Sequence, residues 1–285
     1  MYSKEKFWIF LILVSCIGCD GQKGSNKNPA GYDLSKPEKF DMPDVLHEIS
    51  GIAFNKGNSD SIYAEQDEEG KLFHFKLGDK KMIISKFDGH GDYEDVTICN
   101  GNVIMLRSDG VLFIFPLSEA NNNKARFVKE WDNILPAGEY EGLSSNDATG
   151  QLFVLCKHCQ NDQTSKRTSG YIFNLSNDAK LTPGGNFEVN VKEIERIYGK
   201  EKIRFHPSAL AENNFTKEWY ILSSVNKLLV IADIEWKIKE VYHLDPLLFP
   251  QPEGIAFDKD RNLYISNERD GAAYGTILKF VYSKN

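Results

Sequence analysis

The chain has 285 residues, 41% of them hydrophobic and 26% charged, which is ordinary for a soluble globular fold. Its formal charge of −7 counts against an extended basic face, and so against nucleic acid or anionic lipid as a charge-read partner. Aromatic residues at 12% suit a β protein that fills sheet-to-sheet contacts with Phe, Tyr and Trp.

Lys4 and Lys6 precede an unbroken apolar run at residues 7–14. A basic start followed by about eight apolar residues reads as a secretory signal, too short to cross a bilayer core of about 30 Å. Leu13-Val14-Ser15-Cys16 resembles the bacterial lipobox, so residues 1–15 are expected to be the signal and Cys16 the acylated terminus. Cys19 is the alternative, with Cys16 a poor fit at its minus-three position. Several acyl chains anchor stably where one chain, at about 0.8 kcal/mol per methylene, is marginal. The expected location is the cell envelope, lipid-anchored at the outer membrane and facing the periplasm or the surface. Residues 16–31 are small and polar, a tether whose fifteen or so residues reach roughly 20 Å.

The folded domain is expected over residues 32–285, with a first strand at residues 32–40. From there one pattern returns five times: His47-Glu48-Ile49-Ser50-Gly51-Ile52, Asp92-Tyr93-Glu94-Asp95-Val96, Glu139-Tyr140-Glu141-Gly142-Leu143, His206-Pro207-Ser208-Ala209-Leu210 and Gln251-Pro252-Glu253-Gly254-Ile255. Its key positions, 48, 94, 141, 208 and 253, are separated by 46, 47, 67 and 45 residues. A period in the forties with strand-rich content is the signature of propeller blades, each a four-stranded sheet. The sequence therefore predicts an all-β, five-bladed β-propeller. The last repeat has room for three strands only, and the N-terminal strand is expected to complete it and close the ring.

Within the repeats, Asn100-Gly101 between apolar runs predicts a two-residue hairpin, since both residues tolerate positive φ. Residues 160–169 read as a polar loop. The long step contains Val191–Tyr198, whose apolar residues fall at helical spacing, and predicts a short helix outside the ring. That insertion either roofs one face of the channel or is filler.

The first strand of each blade lines the channel of a propeller, so the repeated position brings Glu48, Glu94, Glu141 and Glu253 to one level, with Ser208 as the fifth member. At an assumed 8 Å and an effective dielectric of 20, each carboxylate pair repels by roughly 2 kcal/mol. A counter-charge or protonation is required. Ca²⁺ fits that need, because it takes six to eight oxygens from carboxylates, hydroxyls and waters. The competing reading is that each glutamate accepts hydrogen bonds from the neighbouring blade and acts as a spacer.

Cys156-Lys157-His158-Cys159 has Cys-x-x-Cys spacing but too few further ligands for zinc, and a local disulfide or two free thiols is expected. His206 is a weak candidate for a general base pointing into the channel, against a plain histidine at a strand start. Asp67-Glu68-Glu69 and Glu268-Arg269-Asp270 read as solvated turns. No nucleophile elbow, phosphate-binding glycine loop or zinc-protease motif occurs.

Glu-Ile-Ser-Gly-Ile-Ala (48–53), Tyr-Glu-Asp-Val (93–96), Tyr-Glu-Gly-Leu (140–143), His-Pro-Ser-Ala-Leu (206–210), Gln-Pro-Glu-Gly-Ile-Ala-Phe (251–257) and Leu-Tyr-Ile-Ser-Asn-Glu (263–268) together resemble the SdiA-regulated family, over about residues 32–283. The resemblance implies a five-bladed propeller distantly similar to NHL-repeat proteins, with bound calcium in at least one relative and no established activity. Ser208 departs from the acidic repeat and weakens a symmetric five-ligand site. Function then divides between a monomeric calcium-containing module, binding a small molecule, glycan or protein, and a calcium-dependent hydrolase of an ester, lactone or phosphate ester. A glycosidase needs two carboxylates in unlike roles, and the repeated glutamates give no such asymmetry.

Overall fold

In the computed structural model, which describes residues 28–79, 81–160, 162, 166–269, 271 and 273–284, the apolar runs become twenty strands in five four-stranded sheets. A short strand, β1 (Glu38–Asp41), precedes the first blade. Blade one contains β2 (Ile49–Phe54), β3 (Ile62–Gln66), β4 (Glu69–Phe75) and β5 (Met82–His90). Blade two contains β6 (Tyr93–Cys99), β7 (Asn102–Arg107), β8 (Leu112–Pro116) and β9 (Lys129–Trp131). Blade three contains β10 (Gly138–Asn146), β11 (Gln151–Cys159), β12 (Arg167–Leu175) and β13 (Leu181–Asn190), followed by the helix α1 (Val191–Tyr198). Blade four contains β14 (Ala209–Asn213), β15 (Glu218–Ser223), β16 (Leu228–Ala232) and β17 (Ile238–His243). Blade five contains β18 (Pro252–Phe257), β19 (Leu263–Asn267) and β20 (Thr276–Phe280), and its fourth strand is β1.

The ring closes as the strand inventory predicts, with β1 antiparallel to β20 from Glu38↔Lys279 to Asp41↔Thr276. The closing strand is shorter than residues 32–40. Asp33 Oδ1 accepts from the Ser35 N–H at 3.1 Å and the Lys36 N–H bonds Asp33 O, a local turn that leaves Pro37 to start the extended segment. Tyr32 and Leu34 pack instead into the seam between blades four and five, where the Tyr32 hydroxyl donates to Arg261 O at 2.7 Å. Ordered contacts begin ahead of residue 32: the Leu34 N–H bonds Asn28 Oδ1 and the Ser283 N–H bonds Gly31 O.

The innermost strands touch in the cycle β2, β6, β10, β14, β18 and back to β2. The core is therefore not one mass but five apolar clusters, each filling one seam between neighbouring blades. The Asn100-Gly101 hairpin forms as its sequence demands, with φ of 50° and 70° between the Cys99↔Asn102 pair. The helix α1 is capped by Asn190, whose Oδ1 accepts from the Lys192 N–H at 3.0 Å, and ends at Gly199 with φ of 74°. Its buried Val191 and Ile194 join the seam between blades three and four. The polar loop of blade three is narrower than residues 160–169, because β11 continues to Cys159 and β12 starts at Arg167.

Candidate functional site

The repeated glutamates share a backbone device. In β6 the register steps from Tyr93↔Arg107 to Asp95↔Leu106, so Glu94 has no cross-strand partner. Glu141 in β10 and Glu253 in β18 are skipped in the same way. A bulge of this kind re-aims one side chain out of the alternation of its sheet. In β2 the interruption lies between Ile49 and Ile52 and spans Ser50-Gly51, so Glu48 is not the bulged residue of blade one. Ser208 directly precedes β14.

Two residues beyond Glu94, Glu141, Ser208 and Glu253, and two beyond Ser50 in blade one, Val96, Leu143, Leu210, Ile255 and Ile52 line a cavity of about 180 Å³ toward the other end of the channel. The five inner strands therefore run the same way, with an apolar belt beneath the polar mouth. The glycines between the two levels seat neighbouring blades: a Cβ on Gly51 would lie 2.6 Å from the Asp95 Cα, and one on Gly254 would lie 2.4 Å from the Ser50 carbonyl. In blade two the equivalent residue is Asp95. Its Oδ1 accepts from the Val96 N–H at 2.8 Å and its Oδ2 from the Leu143 N–H of blade three at 2.7 Å. Glu65 Oε1 accepts from the Gly51 N–H at 2.6 Å, and burial pushes both Glu65 and Asp95 well above the usual carboxylate range.

At the mouth, Glu141, Glu253, Ser208, Lys157 and His206 face a cavity of about 320 Å³. Lys157, on β11, forms an ion pair with Glu141, and its charge also acts on Glu94 and Glu253. Burial, then the neighbouring Asp92, Glu253 and Asp67, push the Glu94 carboxyl up to about 8 despite that lysine. Burial also raises Glu253, against a hydrogen bond from Ser224 and the charge of Lys157. Ser208 is buried and committed: its Oγ donates to Pro252 O at 2.7 Å and accepts from the Ser224 N–H at 3.2 Å.

Glu48 lies beside this group. It contacts His47 Nε2 at 3.4 Å and sits against Asp67, whose carboxyl is pushed up to about 7 by burial and by Glu48, Glu268 and Glu68. Asp67 is therefore part of the mouth and not a solvated turn. Glu48 Oε2 and Asp67 Oδ1 are buried without a donor from a third residue among the described residues, and the two carboxyls meet each other in a contact that raises Asp67. Glu268 is engaged by the Gln251 side chain. Asp270 lies outside the described residues, as do Cys16 and Cys19.

Lys157 and Asp67 are the mouth residues that motif reading passed over. The lysine sits inside the Cys-x-x-Cys stretch, and its signal is strand continuation: β11 runs through Cys159 alongside β10. Cys156 and Cys159 form a disulfide, which takes the Cys156–Cys159–Asp162 cluster out of consideration for zinc. His206 packs its ring 4.2 Å from that of His158, and burial first, then the His158 and Lys157 charges, lower its pKa. Its Nδ1 is buried without a partner among the described residues.

A family model described as SdiA-regulated matches residues 30–270. Among solved structures, the chain is similar to the glutaminyl cyclase of Myxococcus xanthus, with 12% identity, 85% of this chain and 93% of that one covered, and a TM-score of 0.57. It is similar also to the calcium-binding protein regucalcin from Agrobacterium tumefaciens strain C58, with 13% identity, coverage of 89% and 94%, and a TM-score of 0.51. A luciferin-regenerating enzyme has 9% identity, coverage of 86% and 95%, and a TM-score of 0.52. At these identities the likeness shows the fold alone. No curated protein matches the chain in sequence.

Proposed function

The chain belongs to the SdiA-regulated family, and from that premise we propose that it is a monomeric binding module of the cell envelope, lipid-anchored through Cys16, whose channel mouth holds Ca²⁺ and recognises an oxygen-bearing ligand through it. The observation that carries this reading is the pair of orphaned oxygens, Glu48 Oε2 and Asp67 Oδ1, beside the desolvated Glu94 and Glu253. Lys157 and Lys227 are the cations that act on Glu253, and they are outnumbered by carboxylates at the mouth. A hard divalent ion satisfies this donor set, since it accepts carboxylate, hydroxyl and water oxygens together. Glu48, Asp67, Glu94 and Glu253 would hold it by drawing together, since among the described residues their oxygens are not gathered within 4.8 Å of one another, with Glu141 turned toward Lys157 and Ser208 occupied by the backbone of blade five.

A calcium titration of the purified full-length protein by calorimetry tests this. One saturable site is expected, weakened about tenfold or more in Glu253→Gln or Asp67→Asn. Heats indistinguishable from buffer at millimolar calcium would remove the proposal. Cys16→Ser is expected to move the protein from the membrane to the soluble fraction, and unchanged fractionation would shift the anchor to Cys19 or discard it.

A hydrolytic reading has one observation in its favour: burial lowers the pKa of His206 at the cavity wall, the direction that favours a general base. Turnover of lactones, aryl esters or phosphate esters that is lost both with EDTA and in His206→Ala would promote it. Calcium binding without turnover favours the module.

A further inference from the structure

The insertion that lengthens the third repeat helps to build a third cavity, of about 410 Å³, beside the channel mouth. The end of β11, the starts of β12 and α1 and the segment after the helix line an open volume suited to a small molecule. Lys157, Lys166, Arg167, Lys202 and Arg204 line it, so the local sign is opposite to the net charge of the chain. Three of these cations are matched: Lys157 by Glu141, Lys166 by Glu195 at 2.7 Å and Arg167 by Glu188 at 2.7 Å. Lys202 and Arg204 have no carboxylate partner among the described residues. The acid in the wall, Asp162, accepts from the Ser169 N–H and hydroxyl at 2.8 and 2.7 Å. Val191, Ile203 and Phe205 supply apolar surface for the body of a ligand. His206 and Lys157 line both this cavity and the mouth, and His158, on the wall of this one, lies against the His206 ring.

We infer that this cavity is a separate binding site for a small molecule bearing a compact oxyanion, a carboxylate or a phosphate, held by Arg204 and Lys202. A guanidinium presents paired N–H groups that match either oxyanion, an ammonium adds a point charge, and a concave wall strengthens the field of both. The site does not require calcium at the mouth, and its walls come from the second and third strands of blade three, α1 and the segment after it rather than from the repeated bulges.

The test is calorimetric titration of the full-length protein with inorganic phosphate and with succinate, at constant ionic strength and with EDTA present. Saturable binding of at least one anion is expected, weakened about tenfold or more in the double variant Lys202→Ala/Arg204→Ala and unchanged in Lys76→Ala on blade one. The anion bound more tightly identifies the headgroup. Addition of that anion to the unaltered protein is also expected to move the His158 and His206 ring resonances in NMR spectra. Binding of neither anion, equal binding by the double variant, or ring resonances that stay fixed would each overturn the site. Because EDTA is present throughout, failure here is distinct from failure of the calcium titration.

Discussion

Lys157 on β11 meets the Glu141 carboxylate on β10, and the same ammonium acts on Glu94 of blade two and Glu253 of blade five. One side chain thus answers carboxylates that three repeats bring toward the axis. Deleting the cation from a largely buried group leaves the acids uncompensated, which costs more than the pair itself contributes. With 28% of the lysine side chain exposed, solvent screening reduces the effect. Lys157→Met is expected to lose about 1–3 kcal/mol in urea unfolding at pH 8 with EDTA, and to recover much of it with calcium. Unaltered stability in EDTA would mean that the lysine does not serve as the counter-charge.

The titration of the mouth has a sign that separates it from ordinary acid denaturation. Glu94 and Asp67, at about 8 and about 7, hold protons in the folded state that the unfolded chain has released. Their contribution is complete below the ordinary carboxylate range and is lost as pH rises through 7 and 8. His206, lowered by burial, acts oppositely and destabilises as pH falls below its ordinary 6.5. Thermal midpoints in EDTA are expected to decline from pH 6 toward pH 8.5, whereas calcium, competing with those protons, flattens or reverses the decline. A midpoint that rises from pH 6 to 8.5 in EDTA would contradict the buried-acid account.

The fivefold ring was legible because its cause is local and repeated. An inner strand is marked by an apolar exit such as Ile255-Ala256-Phe257, a hairpin turn such as Asn100-Gly101, and a spacing near 46 residues that only the insertion before Ser208 lengthens. The bulge that re-aims Glu94, Glu141 and Glu253 was legible only as a repeated glutamate. In blade one the same bulge spans Ser50-Gly51, so matching by residue type selected Glu48, two positions early. Asp67 looked solvated because the burial of a turn depends on what covers it, here Glu48 and Glu268 from elsewhere in the chain. Lys157 looked like filler within a cysteine motif because its reach to Glu141 depends on pairing register, which spacing along the chain does not carry.

Gly254 marks where blade five meets blade one. A methyl group there would lie 2.3 Å from Ser266 Oγ, 2.4 Å from the Ser50 carbonyl and 3.1 Å from the Gly51 Cα, and two of those atoms are backbone. At Gly142 the nearest atoms are the Leu155 and Leu210 Cβ atoms at 3.1 and 3.2 Å, contacts that a small shift relieves. Gly254→Ala is therefore expected to cost about 2–3 kcal/mol and Gly142→Ala about 1 kcal/mol or less, read from urea midpoints. The reverse order would show that the seams are not seated as described.

Among the described residues, the strand β1 is the only fourth strand in the ring that does not follow its blade in sequence, and its removal separates two functions of the N-terminal segment. Tyr32 and Leu34 fill the seam between blades four and five, whereas Glu38–Asp41 cover the free edge of β20. Truncation immediately before Glu38 removes the apolar plug and keeps the strand. Truncation after Asp41 removes both, leaving β20 with unpaired N–H and C=O groups that can recruit another chain. Sedimentation velocity is expected to find the first variant less stable yet monomeric, and the second self-associating in proportion to concentration. If both stay monomeric, the edge is shielded by something other than β1. If both associate alike, the exposed apolar seam, and not the open strand edge, drives the assembly.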